Sequence, residues 1–77
     1  MTNIEVLGAG CANCNLLYER TQRAAQELGL ECQIEKITDL NVIVGYRVMS
    51  TPALVVDGQV KLAGRVPSVE QLKELLS

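Results

Sequence analysis

Polar and apolar residues alternate from Asn3 to Leu7, with Ile4 and Val6 on one face and Asn3, Glu5 and Leu7 on the other, as a strand requires. Gly8 and Gly10 break the alternation, and from about Ala12 to Leu28 the spacing lengthens. Cys14, Leu17, Thr21, Ala24, Ala25 and Leu28 recur at helical intervals there, with Glu19, Arg20, Gln22, Arg23 and Glu27 outside the stripe. Gly29 suits the residue that closes such a helix. From Leu30 to Ile37 the period returns to two, with Leu30, Cys32 and Ile34 facing one way and Glu31, Gln33 and Glu35 the other. Asp39 can cap a short helix reaching about Tyr46, although Val42, Ile43 and Val44 are weak helix formers. Two apolar runs follow, Ala53 to Val56 and Gln59 to Ala63, joined by Asp57-Gly58, a strong signal for a tight hairpin. Ser68-Val69-Glu70-Gln71 after Pro67 reads as a capping box opening a last helix, whose stripe is Val69, Leu72, Leu75 and Leu76.

The order is therefore β-α-β-α-β-β-α, an α/β chain with neither repeats nor linkers, expected to form one domain over residues 1–77. Two strands joined through a helix make a right-handed βαβ unit with parallel strands. The turn leaving the first strand then lies at its carboxyl end, where sites in open α/β sheets usually form.

That turn carries Gly8-Ala9-Gly10-Cys11-Ala12-Asn13-Cys14. Unpaired N–H groups and the helix dipole favour an anion at a helix start, and a thiolate is one. Cys11 at the first turn should ionise more readily than a free thiol and act as a nucleophile near neutral pH. Cys14, one turn on, is close enough to close a small disulfide ring with it. The competing reading is two core cysteines that happen to fall near one another, since free Cys is often buried.

The 77 residues carry seven Lys and Arg against nine Asp and Glu, for a net charge of -2, and no basic patch with interleaved aromatics, so a nucleic-acid surface is not expected. Neither a signal peptide nor a membrane span is read, so the expected compartment is the cytoplasm. Three cysteines do not make the disulfide framework of a secreted mini-protein.

Cys-x-x-Cys after the first strand, with Thr51-Pro52 just before the third, resembles the thioredoxin superfamily. Leu7 to Cys14, Met49 to Gly58 and Gly64-Arg65-Val66-Pro67-Ser68 are similar to the small glutaredoxin-like thioredoxins of the redox-active disulfide protein family. The resemblance implies a minimal thioredoxin fold with a four-stranded mixed sheet in the order 2-1-3-4, and dithiol-disulfide exchange. It also implies a cis Thr51-Pro52 peptide facing the cysteines, where the backbone near Thr51 can pair with an extended substrate segment. Ala12 and Asn13, between the cysteines, join Thr51 and Pro52 as candidate substrate contacts. They stand in a motif without the tryptophan and proline of ordinary thioredoxins, so partners and potential do not carry over. Arg47 stands where relatives usually have Gly, at a helix end that favours a left-handed residue.

Cys11 is the candidate nucleophile, forming a mixed disulfide that Cys14 resolves. Glu5 precedes Cys11 by six residues, the offset at which thioredoxins carry a buried carboxylate, and is the candidate base for the Cys14 proton; alternatively it points to solvent. Cys32 is read as a core residue beside Leu30 and Ile34, Tyr18 as either a cover for the inner sulfur or a partly exposed helix residue, Lys36 and Lys61 as solvated, and Met49 as packed by the Thr-Pro turn. Expected partners are protein or small-molecule disulfides and a disulfide reductase as electron donor, with a monomer and no cofactor or metal. The alternatives are a redox sensor on the same scaffold, or a thiolate metal-binding module. Soft thiolates suit Cu(I) and zinc, but metal chaperones of the ferredoxin-like fold end in a strand and carry a methionine where Ala9 stands.

Overall fold

The computed structural model describes residues 1–8 and 10–77; Ala9 lies outside the described residues. The elements run β1 (Thr2–Leu7), α1 (Ala12–Leu28), β2 (Cys32–Ile37), α2 (Leu40–Gly45), β3 (Ala53–Val56), β4 (Gln59–Ala63) and α3 (Val69–Leu76). The sheet order is β2-β1-β3-β4, with β1 parallel to β2 and antiparallel to β3, and β3 antiparallel to β4. This is the mixed four-stranded arrangement of a minimal thioredoxin fold.

Local chemistry accounts for the boundaries. Gly29 ends α1 at φ 64°, and the amides of Gly29 and Leu30 bond back to the carbonyls of Gln26 and Ala25, which satisfies the last turn. That reversal consumes Leu30 and Glu31, so β2 begins at Cys32 rather than at Leu30. Asp39 caps α2 through the amide of Asn41 at 2.9 Å. The Ser68 and Gln71 side chains exchange hydrogen bonds with each other's backbone amides in a complete capping box.

Ile4 and Val6 of β1 and Leu54 of β3 face α1 and α3, where Leu17, Ala24, Ala25, Leu62, Leu72 and Leu76 complete the main core. Leu28, the last member of the α1 stripe, is by contrast 37% exposed. The other face of the sheet holds a smaller cluster of Leu7, Ile43, Ala53 and Val55, with Tyr46, Val48 and Ile37 packed around it. The Asp57-Gly58 turn has positive φ at both residues, 50° and 83°, as a tight hairpin demands. A register shift departs from simple alternation: Val55 pairs with Val60 but Leu54 with Leu62, so Lys61 is accommodated as an extra residue. Val60 therefore follows Val55 to the α2 side, where it is 40% exposed, while Leu62 follows Leu54 into the main core.

Candidate active site

Leu7, fully buried, anchors the end of β1 against Ile43, Ala53 and Val55, and the chain then turns into α1. Cys11 is the residue that caps that helix: its backbone is extended, with φ -98° and ψ 156°, and its Sγ accepts the backbone N–H of Cys14 at 3.0 Å. Cys11 and Cys14 are joined in a disulfide across a Cα–Cα distance of 5.1 Å. Cys14 is buried and Cys11 half-buried, so the pair has an outer and an inner sulfur. In this disulfide form the outer sulfur lies beside an amide donor at the positive end of a 17-residue helix.

Why Gly8 is glycine follows from the inner sulfur. A Cβ at position 8 would collide with Cys14 Sγ, stand 3.1 Å from Cys14 Cβ and lie 3.8 Å from the Cα of Pro52. The first turn of α1 and the residue before β3 therefore both close in on Gly8 at the end of β1. The Thr51-Pro52 peptide is cis. Pro52 is buried and Thr51 exposed, and the Pro52 carbonyl accepts the Gly64 amide at 2.8 Å. Gly64 has φ 78°, and a Cβ there would strike Ser50 Oγ, so this loop is held against the end of β4. Ala12 and Asn13 are exposed on the first turn of α1.

Glu5 is half-buried on the α2 face of β1, and its Oε1 accepts the hydroxyl of Tyr46 at 2.6 Å. That bond, then burial and the charge of Glu5, push the Tyr46 hydroxyl above the ordinary tyrosine range. Tyr46 is a residue that the sequence pattern did not single out, because its partner lies 41 positions away and on another element. Gly8 looked like a strand breaker alone; only the fold brings Cys14 over it.

Other assignments change. Met49 is 98% exposed rather than packed, because the loop turns it out beside Ser50 and Thr51. Lys36 is exposed but engaged, donating to Asn15 Oδ1 at 2.9 Å and lying 4.8 Å from the centroid of the Tyr18 ring. Tyr18 itself is half-buried against the main core. Cys32 is free and half-buried, packed against the same core as Ile34. It pairs with Thr2, whereas Ile37 pairs with Leu7, so it lies at the opposite end of the sheet from the disulfide, about 17 Å along the strand. Among the described residues, no three His, Cys, Asp or Glu side chains cluster as a metal would need, and no helix is long and apolar enough to cross a membrane.

The model of the thioredoxin domain family matches residues 2–77. The chain belongs to the thioredoxin family. It is 40% identical to a thioredoxin of Methanothermobacter thermautotrophicus over 77 residues, covering all of both chains. It is 41% identical to a thioredoxin of Methanocaldococcus jannaschii over 76 residues, 99% of this chain and 87% of that one. A probable thioredoxin of M. thermautotrophicus is 32% identical over an 81-residue alignment that spans all of this chain and 94% of that one. This thioredoxin-family chain is a thiol-disulfide oxidoreductase, and Cys11 and Cys14 are its redox-active disulfide.

Proposed function

We propose that Cys11 is the attacking sulfur and Cys14 the resolving one in the reduction of protein or small-molecule disulfides. The observation that carries this order is the difference between the two sulfurs: Cys11 Sγ sits at the helix cap within 3.0 Å of the Cys14 amide, whereas Cys14 is buried against Gly8. In the dithiol form, Cys11 as a thiolate attacks one sulfur of the substrate disulfide, and the other substrate sulfur leaves as a thiolate. Cys14 then loses its proton and attacks Cys11, releasing the second substrate thiolate and regenerating the internal disulfide. The substrate gains two electrons and the cysteine pair loses them. A disulfide reductase returns the pair to the dithiol.

Glu5 is the base that takes the Cys14 proton in this reading, which is supported by its half-buried place on the central strand, three residues before Gly8, against which the inner sulfur rests. Thr51 and Pro52 contact the substrate backbone, and Ala12 and Asn13 flank it on the helix side, a reading supported by the exposure of Thr51, Ala12 and Asn13 beside the disulfide. The test is alkylation of the reduced protein as a function of pH, with each cysteine followed separately, together with trapping of mixed disulfides by Cys14→Ser. Cys11 should react well ahead of Cys32 at neutral pH and should carry the trapped partner. Equal reactivity of Cys11 and Cys32, or partners trapped on any other sulfur, would overturn the order of attack.

A further inference from the structure

We propose that Tyr46 is a positioning residue for the resolving step: its hydroxyl clamps Oε1 of Glu5, leaving Oε2 as the oxygen that receives the Cys14 proton. The proposal rests on Glu5 being the base.

The clamp is rigid for reasons that lie in the fold. The Tyr46 ring packs against the cluster of Leu7, Ile43, Ala53 and Val55, and Arg47, the next residue, takes φ 61° and bonds its amide to the Val44 carbonyl, ending α2. The Tyr46 backbone is therefore fixed by a helix end and its ring by packing, so its O–H meets Glu5 at 2.6 Å from one direction. Because the Tyr46 hydroxyl is held above its ordinary range, it remains a donor at every pH at which the enzyme would work. A free glutamate would sample several rotamers, and a reacting group misplaced by about 1 Å can lose on the order of a hundredfold in rate.

A base must also be emptied after each turnover. A depression of about 290 Å³ lined by Asn3, Ile4, Glu5, Gln33 and Glu35 opens beside the Glu5 carboxylate, with Asn3, Gln33 and Glu35 exposed to solvent. Glu5 thus stands between the covered end of β1 and an open half of the same sheet face. The groups that share its surroundings are Asn3 and Leu7 on β1, Gln33 and Glu35 on β2, Val55 on β3 and Tyr46 after α2; Glu35, the register partner of Glu5, is the other carboxylate among them. In the step itself, the Cys14 S–H bond breaks, its proton goes to Glu5 Oε2, and the sulfur pair forms the bond to Cys11. The Cys11–substrate S–S bond breaks and the substrate sulfur leaves as a thiolate. The proton on Glu5 then passes to water in the depression.

The experiment mixes reduced protein, in a Cys32→Ser background, with the chromogenic disulfide dithionitrobenzoate in a stopped-flow instrument. The first thiolate released reports attack by Cys11 and the second reports ring closure by Cys14. Tyr46→Phe keeps the ring and loses only the donor. It should leave the first phase unchanged and slow the second about tenfold, the equivalent of losing one hydrogen bond to a charged group. Glu5→Gln should slow the second phase on the order of a hundredfold, and the double variant should match Glu5→Gln alone. A normal second phase in Tyr46→Phe beside a slow one in Glu5→Gln overturns the clamp and spares the base. Slowing in Tyr46→Phe that adds to that of Glu5→Gln in the double variant marks a packing role and also overturns the clamp. A normal second phase in Glu5→Gln overturns the base itself.

Discussion

The two faces of the sheet divide the work of the molecule. One is closed by α1 and α3, where Leu17, Ala24, Ala25, Leu72 and Leu76 meet Ile4, Val6, Leu54 and Leu62 of the sheet. Polar ties fasten those helices: Arg20 donates to the Pro67 carbonyl at 3.1 Å, and Lys73 on α3 pairs with Glu27 on α1 at 3.2 Å. The other face is covered by a six-residue helix that buries Ile43 alone, and half of it stays open around Asn3, Glu5, Gln33 and Glu35. Apolar burial scales with area, so most of the folding free energy belongs to the closed face. The open face can therefore hold the Glu5 carboxylate and its tyrosine at little cost to the fold, and a 77-residue domain has little stability to spare.

Unequal losses on the two sides should expose this division. Leu72→Ala on α3 should cost about 4 kcal/mol and Ile43→Ala on α2 about 2 kcal/mol, measured by urea unfolding of the oxidised protein. The first approaches the whole stability expected of a domain this small. Equal costs would mean that the two faces carry the fold alike. A smaller change sharpens the same point from the open side: Arg47→Gly should raise stability by about 1 kcal/mol, because Arg47 sits at φ 61°, where a side chain is strained and glycine is not. A melting temperature that stays put or falls would show that the strain is offset by contacts of the arginine.

The smallest effect expected is on the alkaline limb of stability. Tyr46 is an acid whose folded-state affinity for its proton is raised above the ordinary value of 10.0. The unfolded chain therefore loses that proton first. The contribution is whole below pH 10 and is lost as pH climbs from there through the higher folded value. Tyr46→Phe should remove this part of the decline, and an alkaline limb identical to that of the parent would show that the hydroxyl is not held by Glu5 in solution.

What could be read before folding was whatever depends on near neighbours. The alternation of Ile4 and Val6, the stripe from Cys14 to Ala25, the Asp57-Gly58 turn and the Ser68 cap are each settled within a few residues, and each stands in the structure as its pattern implied. The sheet order 2-1-3-4 came from resemblance, since periodicity does not say which strands adjoin. Val60 shows the limit of counting by twos: one extra residue in β4 turns it away from Leu62. Met49 shows another, since an apolar side chain in a loop has no period to follow and its exposure depends on how Pro52 and Gly64 hold the loop. Within the site, the cysteine pair was legible because helix starts and Cys spacing are local. The Tyr46 clamp was not, because it joins residues brought together only by β1 pairing with β3 and α2 folding back across it.

The contact between Gly8 and the inner sulfur has a consequence for selectivity. Side-chain walls can swing aside on a rotamer change, but a wall made of main chain cannot, and the Gly8 amide is held by the Ile37 carbonyl at 3.0 Å. Oxidants and alkylating agents, whatever their bulk, meet that wall on one side of the inner sulfur, while the outer sulfur of Cys11 is only half-buried.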